Sequence, residues 1–234
     1  MENERKGGGG MIAGAIFDLD GTILDSLAIW DRAPALFLKS LGVEAENGLG
    51  RTMFTMSMQE GAAFLKARYL PAMEVGAIVA GINRTVEDFY FHRVPLKDGV
   101  EQFLQEMRQA GIKMVAATCS DRQMVEGALR RLKVMDCFAR IFTSTEIGAG
   151  KDKPDIYLAA AAYLETRPQD TWVFEDALYA LETAKKAGFR TVGVFDAYSA
   201  KDQEKIREIS DLYLEKLADF PAFMKDVSRV SCPR

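Results

Sequence analysis

The chain has 234 residues, 48% hydrophobic and 27% charged, with a formal net charge of −4. That is the composition of a globular domain, or of a domain carrying an insert. It offers no basic excess for a nucleic-acid partner and no run of 18 apolar residues for a membrane span. Three cysteines, Cys119, Cys137 and Cys232, lack any paired metal spacing and read as free thiols of a reducing compartment, so a cytoplasmic protein is expected.

The first ten residues, MENERKGGGG, lack the apolar core of a signal peptide and read as a flexible tail. An apolar run, Met11–Phe17, follows as the first expected strand and ends in Asp18, Asp20, Gly21 and Thr22. The stretch 27–94 then shows no strand pattern. Glu44–Gly50 reads as a loop, Ser57 and Glu60 as a capping box, and a helical segment is expected from Ala72 to about Tyr90. We therefore expect a helical insert at 27–94 within a core made of 11–26 and 95–234. In the Met-rich run Arg51–Met58 most of the methionines are expected to pack, with the lining of a substrate pocket as the alternative, while Arg51 is a candidate for meeting a second anionic group. His92, the only histidine, falls near the return to the core and is expected at the surface.

From residue 99 onward a strand–helix rhythm sets in. Val100, Phe103, Leu104 and Met107 repeat at helical spacing, and Gly111 sits where a C-terminal cap belongs. Strands are expected at Ile112–Thr118, Arg140–Thr145, Thr171–Glu175 and Arg190–Phe195. Pro154 is placed at a first helical position, and another helix runs from near Ala177 to Gly188. Alternation of this kind predicts an α/β fold, a Rossmann-like, mostly parallel sheet covered on both faces.

Ligands of open parallel sheets bind beyond the carboxyl ends of the strands. Those ends carry Asp18, Asp20 and Thr22, then Thr118 with Cys119, then Lys151 and Lys153, then Glu175 and Asp176. Asp18 and Asp20, two apart, leave one face of an extended chain, and Gly21 permits a sharp turn against a ligand. Like charges that close raise each other's pKa and call for compensation. Carboxylates from two strand ends make a hard oxygen site, for which Mg²⁺ is the expected cation.

DLDGT (Asp18–Thr22), VAAT ending at Thr118, GKDKPD (Gly150–Asp155) and FEDALYALETAKKAG (Phe174–Gly188) together resemble the four motifs of the haloacid dehalogenase-like superfamily. The resemblance is to the subgroup with phosphoglycolate phosphatase and β-phosphoglucomutase. It implies a mobile helical cap over a Rossmann-like core and a small phosphate ester as substrate. It implies Asp18 as nucleophile, Asp20 as general acid and base, and Thr118 and Lys151 as holders of the phosphoryl oxygens. Asp176 and Glu175 would bind Mg²⁺ with Asp18 and the backbone carbonyl of Asp20, and Thr22, Cys119 and Arg51 would lie on the substrate side. Several positions depart from the family pattern. Asp152 replaces a usual proline, which leaves Lys153 as a second candidate lysine, and Ala177 and Ala180 replace a frequent serine and glycine. Cys119 is expected to be buried packing rather than a reactive thiol. Trp30 stands about where the mutases have a histidine, which favours a phosphatase over a mutase, and Asp20 argues against dehalogenase and phosphonate-hydrolase chemistry. A binding protein on an inactive scaffold would have lost one of Asp18, Asp20, Lys151 or Asp176. A monomer is the expected state.

Overall fold

Strand β1 (Gly14–Phe17) is four apolar or small residues, all buried, as a strand covered on both faces should be. The computed structural model describes residues 12–53, 56 and 58–231. The expected N-terminal tail, Met11, the capping serine Ser57 and Cys232 fall outside them. After β1 the chain runs through four helices, α1 (Leu27–Ser40), α2 (Leu49–Met53), α3 (Met58–Arg68) and α4 (Val75–His92). It continues with α5 (Val100–Gln109), β2 (Lys113–Thr118), α6 (Arg122–Arg131), β3 (Ile141–Thr143), α7 (Ser144–Ile147) and α8 (Asp155–Leu164). Then come β4 (Thr171–Glu175), α9 (Leu178–Lys186), β5 (Arg190–Val194), α10 (Gln203–Ile209), β6 (Leu212–Leu214) and α11 (Phe220–Ser231). Two compact units result. One holds the chain up to Leu24 and from Leu96 on, and the other is Asp25–Pro95.

In the first unit six strands form one parallel sheet in the order β3-β2-β1-β4-β5-β6, a Rossmann-like α/β arrangement. Alternation along the strands divides the core into two layers. Ile16, Val115 and Val173 face α8 and α9, packing on Ile156, Ala160, Leu164 and Ala184. On the opposite face Phe17 stacks on Phe174 with ring centroids 4.2 Å apart, and Phe103 of α5 and Phe223 of α11 close over Phe174. In the second unit α1 packs on α2 and α4, and α3 on α4.

Several boundaries differ from those read in the sequence. The third strand covers only Ile141–Thr143, because the Thr143 hydroxyl accepts from Glu146 N and starts α7. Leu49 and Gly50, expected in a loop, open α2. The backbone oxygen of Asp31 would lie 1.7 Å from a Cβ at Gly50, so only glycine permits that approach of α1 and α2. The long helix of this unit starts at Val75 rather than Ala72 and runs on to His92, which is exposed. Pro154 is the residue before α8 rather than its first position. β6 was not expected. It is a three-residue edge strand of half-buried residues, too short for a readable alternation.

Candidate active site

The register of the sheet places the first acids. Phe17 pairs with Phe174, so the next residues, Asp18 and Glu175, emerge side by side, and Asp18 N–H donates to Phe174 O at 2.9 Å. By alternation Glu175 leaves the same face as Val173, under α8. There the buried Tyr157 hydroxyl donates to its Oε1 at 3.0 Å. Lys151, on the loop before α8, is buried. Its Nζ donates to Asp18 Oδ1 through a short contact and to Glu175 Oε1 at 2.6 Å. Lys153, two residues on, is exposed. Asp18 Oδ2 is buried without a hydrogen-bond partner.

Asp176 is held from two sides. Thr22 Oγ1 donates to its Oδ1 at 3.4 Å, and Ser199 Oγ donates to its Oδ2 at 3.3 Å. One oxygen from each of Asp18, Glu175 and Asp176 falls within 4.8 Å of the others. The Asp20 side chain is outside that trio. Its Oδ2 accepts from Thr118 Oγ1 at 3.3 Å and from Ser120 Oγ at 2.7 Å. Gly21 between them takes φ 88°, which a residue with a Cβ rarely adopts, and turns the chain back so that its N–H meets Leu24 O.

Three ionised carboxylates against one ammonium leave a double negative charge in a buried place. Burial, followed by the charge of Glu175, pushes Asp18 well above the carboxylate range, and Lys151 only partly offsets this. Burial also opposes the Lys151 charge, but Asp18 and Glu175 outweigh it and hold the ammonium protonated. Asp176 is raised to about 7 by burial, then by Glu175 and Asp196. A hard divalent cation fits this set: three oxygen donors, an excess charge of the matching size and an orphaned Asp18 oxygen.

The geometry thus gathers Asp18, Thr22, Lys151, Glu175 and Asp176 in one place, with Asp20 and Thr118 paired beside them on the next residues of the turn and of β2. Cys119 corrects an expectation. It is exposed, because β2 ends at Thr118 and its Sγ turns to Ser144 Oγ at 3.3 Å. Arg51 lies exposed in α2, in the helical unit, beside a cleft of that unit lined by Asp31, Arg32, Lys39 and Glu46. Met53, Met56 and Met58 line a small cavity of that unit together with Trp30, Pro34 and Ile82.

Tyr157, Ser120, Ser199 and Lys97 belong to the hydrogen-bond network and were not singled out in the sequence. Ser120, two residues after Thr118, could have been found that way. Tyr157 reads as one more core residue of a helix. Lys97, whose Nζ meets Gly21 O, Phe195 O and Asp196 Oδ2, carries no local signal.

A parallel sheet with this acidic cluster at its strand ends is the architecture of a Rossmann-like α/β enzyme. Residues 15–194 match the family model of the haloacid dehalogenase-like hydrolases, and the chain belongs to that family of enzymes. It is 28% identical over 211 residues to a β-phosphoglucomutase of Bacillus subtilis, covering 86% of this chain and 92% of the relative. It is 26% identical to a phosphorylated carbohydrates phosphatase of Thermotoga maritima, covering 91% and 98%. The crystal structure of a putative β-phosphoglucomutase from Thermotoga maritima shares the fold with a TM-score of 0.79 at 23% identity, covering 92% of this chain and 99% of that one. Among the described residues no helix is long and apolar enough to cross a membrane.

Proposed function

We propose that this chain is a Mg²⁺-dependent phosphatase of a small phosphate monoester, a cytoplasmic monomer working through an aspartyl phosphate on Asp18. The observation that carries the reading is the Asp18 carboxylate, with one oxygen on Lys151 and the other buried and unpartnered among acids. One Asp18 oxygen attacks phosphorus while the other stays toward the cation. The carboxyl group of Asp20 gives its proton to the leaving alkoxide, and the resulting Asp20 carboxylate takes a proton from the water that attacks the phosphoryl group. The products are the free alcohol and inorganic phosphate, and Asp18 is returned unchanged. Lys151 and Thr118 hold the phosphoryl oxygens, whose charge in a loose transition state requires such donors. Asp18, Glu175, Asp176 and the backbone carbonyl of Asp20 hold Mg²⁺, which supplies the positive charge that lets a carboxylate approach a phosphoryl dianion. The unit Asp25–Pro95 is assigned the selection of the alcohol portion, with Arg51 for a second anionic group and Thr22 and Cys119 on the substrate side.

The Bacillus relative keeps a second reading in view, transfer of the phosphoryl group between two positions of a sugar. Trp30, where a mutase histidine is expected, speaks against it. The test is a panel of sugar phosphates, phosphoglycolate, nucleoside monophosphates and an aryl phosphate, assayed with Mg²⁺ and after chelation, with Asp18→Asn as blank. Mg²⁺-dependent release of inorganic phosphate that the blank lacks is expected. Isomerised sugar phosphate without phosphate release would establish the mutase, and turnover by the blank would remove Asp18 as nucleophile.

A further inference from the structure

Lys97 lies far from the motifs in sequence, yet its ammonium group spends all three donors at the rim of the candidate site. It donates to Gly21 O at 2.5 Å, to Phe195 O at 2.6 Å and to Asp196 Oδ2 at 2.9 Å. The Lys97 and Asp196 side chains are only 19% and 8% exposed. An ammonium so placed is expensive to desolvate, and full pairing offsets that cost. The two segments it joins are those that hold Asp176. Gly21 precedes Thr22, whose hydroxyl is on Asp176 Oδ1. The Asp196 carbonyl accepts the N–H of Ser199, whose hydroxyl is on Asp176 Oδ2. Asp196 Oδ1 further accepts from Tyr198 N at 2.9 Å, which fixes the turn between them. The bonds close into a ring that runs from Asp176 through Thr22, Gly21, Lys97, Asp196 and Ser199 and back to Asp176.

We infer that Lys97 is a positioning residue that locks the two hydroxyl-bearing turns together and so fixes the Asp176 carboxylate for the divalent cation. The inference rests on the reading of Asp176 as a metal acid. Lys97 makes no hydrogen bond to Asp176 itself, although its charge reaches that carboxylate through space. It acts through the carbonyl of Gly21 on one side and the carboxylate of Asp196 on the other. Each hydroxyl sits on a Cβ one bond from its backbone, so where each turn is held bears directly on where the hydroxyl points.

Charge and position make opposite forecasts, which gives the test its edge. Taking a positive charge away from an acidic cluster strengthens cation binding by simple Coulomb attraction. Releasing a supporting partner of a metal acid weakens it, in general by about ten- to a hundredfold. The experiment measures Mn²⁺ binding directly, by electron paramagnetic resonance of the free ion, on metal-stripped wild type and on Lys97→Met, which keeps the length of the stem. Half-saturating Mg²⁺ in aryl phosphate turnover is read in parallel. Weaker Mn²⁺ binding by about tenfold or more, with unchanged circular dichroism, is expected for Lys97→Met. Ser199→Ala, which removes another link of the same ring without a charge, is expected to move the affinity in the same direction, and it serves if Lys97→Met does not fold. Adding Ser199→Ala to Lys97→Met should then cost less than the two single changes multiplied together. Mn²⁺ binding by the folded variants as tight as in wild type, or tighter, overturns the inference alone. A wild-type protein that binds no Mn²⁺ overturns it together with the reading of Asp176.

Discussion

Metal removal and pH should act together on the stability of the sheet unit. In the absence of a cation, burial and Glu175 hold Asp176 up to about 7 against an ordinary 3.8. The unfolded chain ionises this group near 4, so between about pH 4 and 7 the native state retains a proton that the unfolded state has lost, and stability falls as pH rises. A shift of that size corresponds to about 4 kcal/mol at about 1.4 kcal/mol per unit, and sharing of the proton within the cluster makes about 2–4 kcal/mol the expected loss. Glu146, held at about 2 by Arg122, is ionised in both states above about pH 5 and adds nothing in this window. Mg²⁺ binds the deprotonated acids, so its protection should be small near pH 5 and large near pH 8. The assay is urea unfolding of chelator-treated protein, with and without Mg²⁺, followed by Trp172. That residue is 2% exposed in β4 and is the sole tryptophan once Trp30→Phe is introduced. Stability of the stripped protein that is flat or rising between about pH 5 and 7, or equal Mg²⁺ protection at both ends, would refute this account of the acid cluster.

Lys151→Met should deepen that pH dependence. It leaves Asp18, Glu175 and Asp176 without their ammonium and costs about 3–5 kcal/mol near pH 8, less near pH 5, and an equal loss at both would contradict the charge balance described above. Asp18→Asn should lower turnover by at least about a thousandfold while circular dichroism shows the fold retained, whereas Asp20→Asn should still form phosphoenzyme slowly in rapid-quench experiments. Normal turnover in either variant would remove the corresponding role. Tyr157→Phe removes a hydrogen bond to the Glu175 carboxylate while conserving the ring, so thermal or urea unfolding should register about 1.5–3 kcal/mol, and no change would mean that the hydroxyl is not needed there. In the helical unit Gly81→Ala would bring a methyl group within 2.1 Å of the Phe37 ring and should cost about 1–3 kcal/mol, read as faster amide exchange in α1 and α4.

The strands that carry the chemistry were legible because parallel strands buried on both faces read as unbroken apolar runs, as in β1 and β4. Acids at their ends then converge by register alone, which is why Asp18, Glu175 and Asp176 could be grouped in advance. What escaped was tertiary. Lys97 meets partners 76 and 99 residues away along the chain, and no local pattern encodes such a meeting. Tyr157 satisfies the apolar periodicity of α8 with its ring and the Glu175 carboxylate with its hydroxyl, and only the first function shows in a sequence. Cys119 was misplaced because free cysteines are usually buried, whereas here the chain already turns outward after Thr118. The capping box at Ser57 falls outside the described residues.

The position of β1 between β2 and β4 also bears on how the protein is made. Its two pairing partners, Lys113–Thr118 and Thr171–Glu175, leave the ribosome long after it does. At about 5–20 residues per second, this central, fully buried strand waits on the order of ten seconds for its second neighbour. The intervening helices, whose contacts close within Asp25–Pro95, are complete well before that. Translation thus leaves an apolar strand unpaired until Glu175 has been made, and any slowing of synthesis before that point lengthens the interval in which the strand can find a partner on another chain.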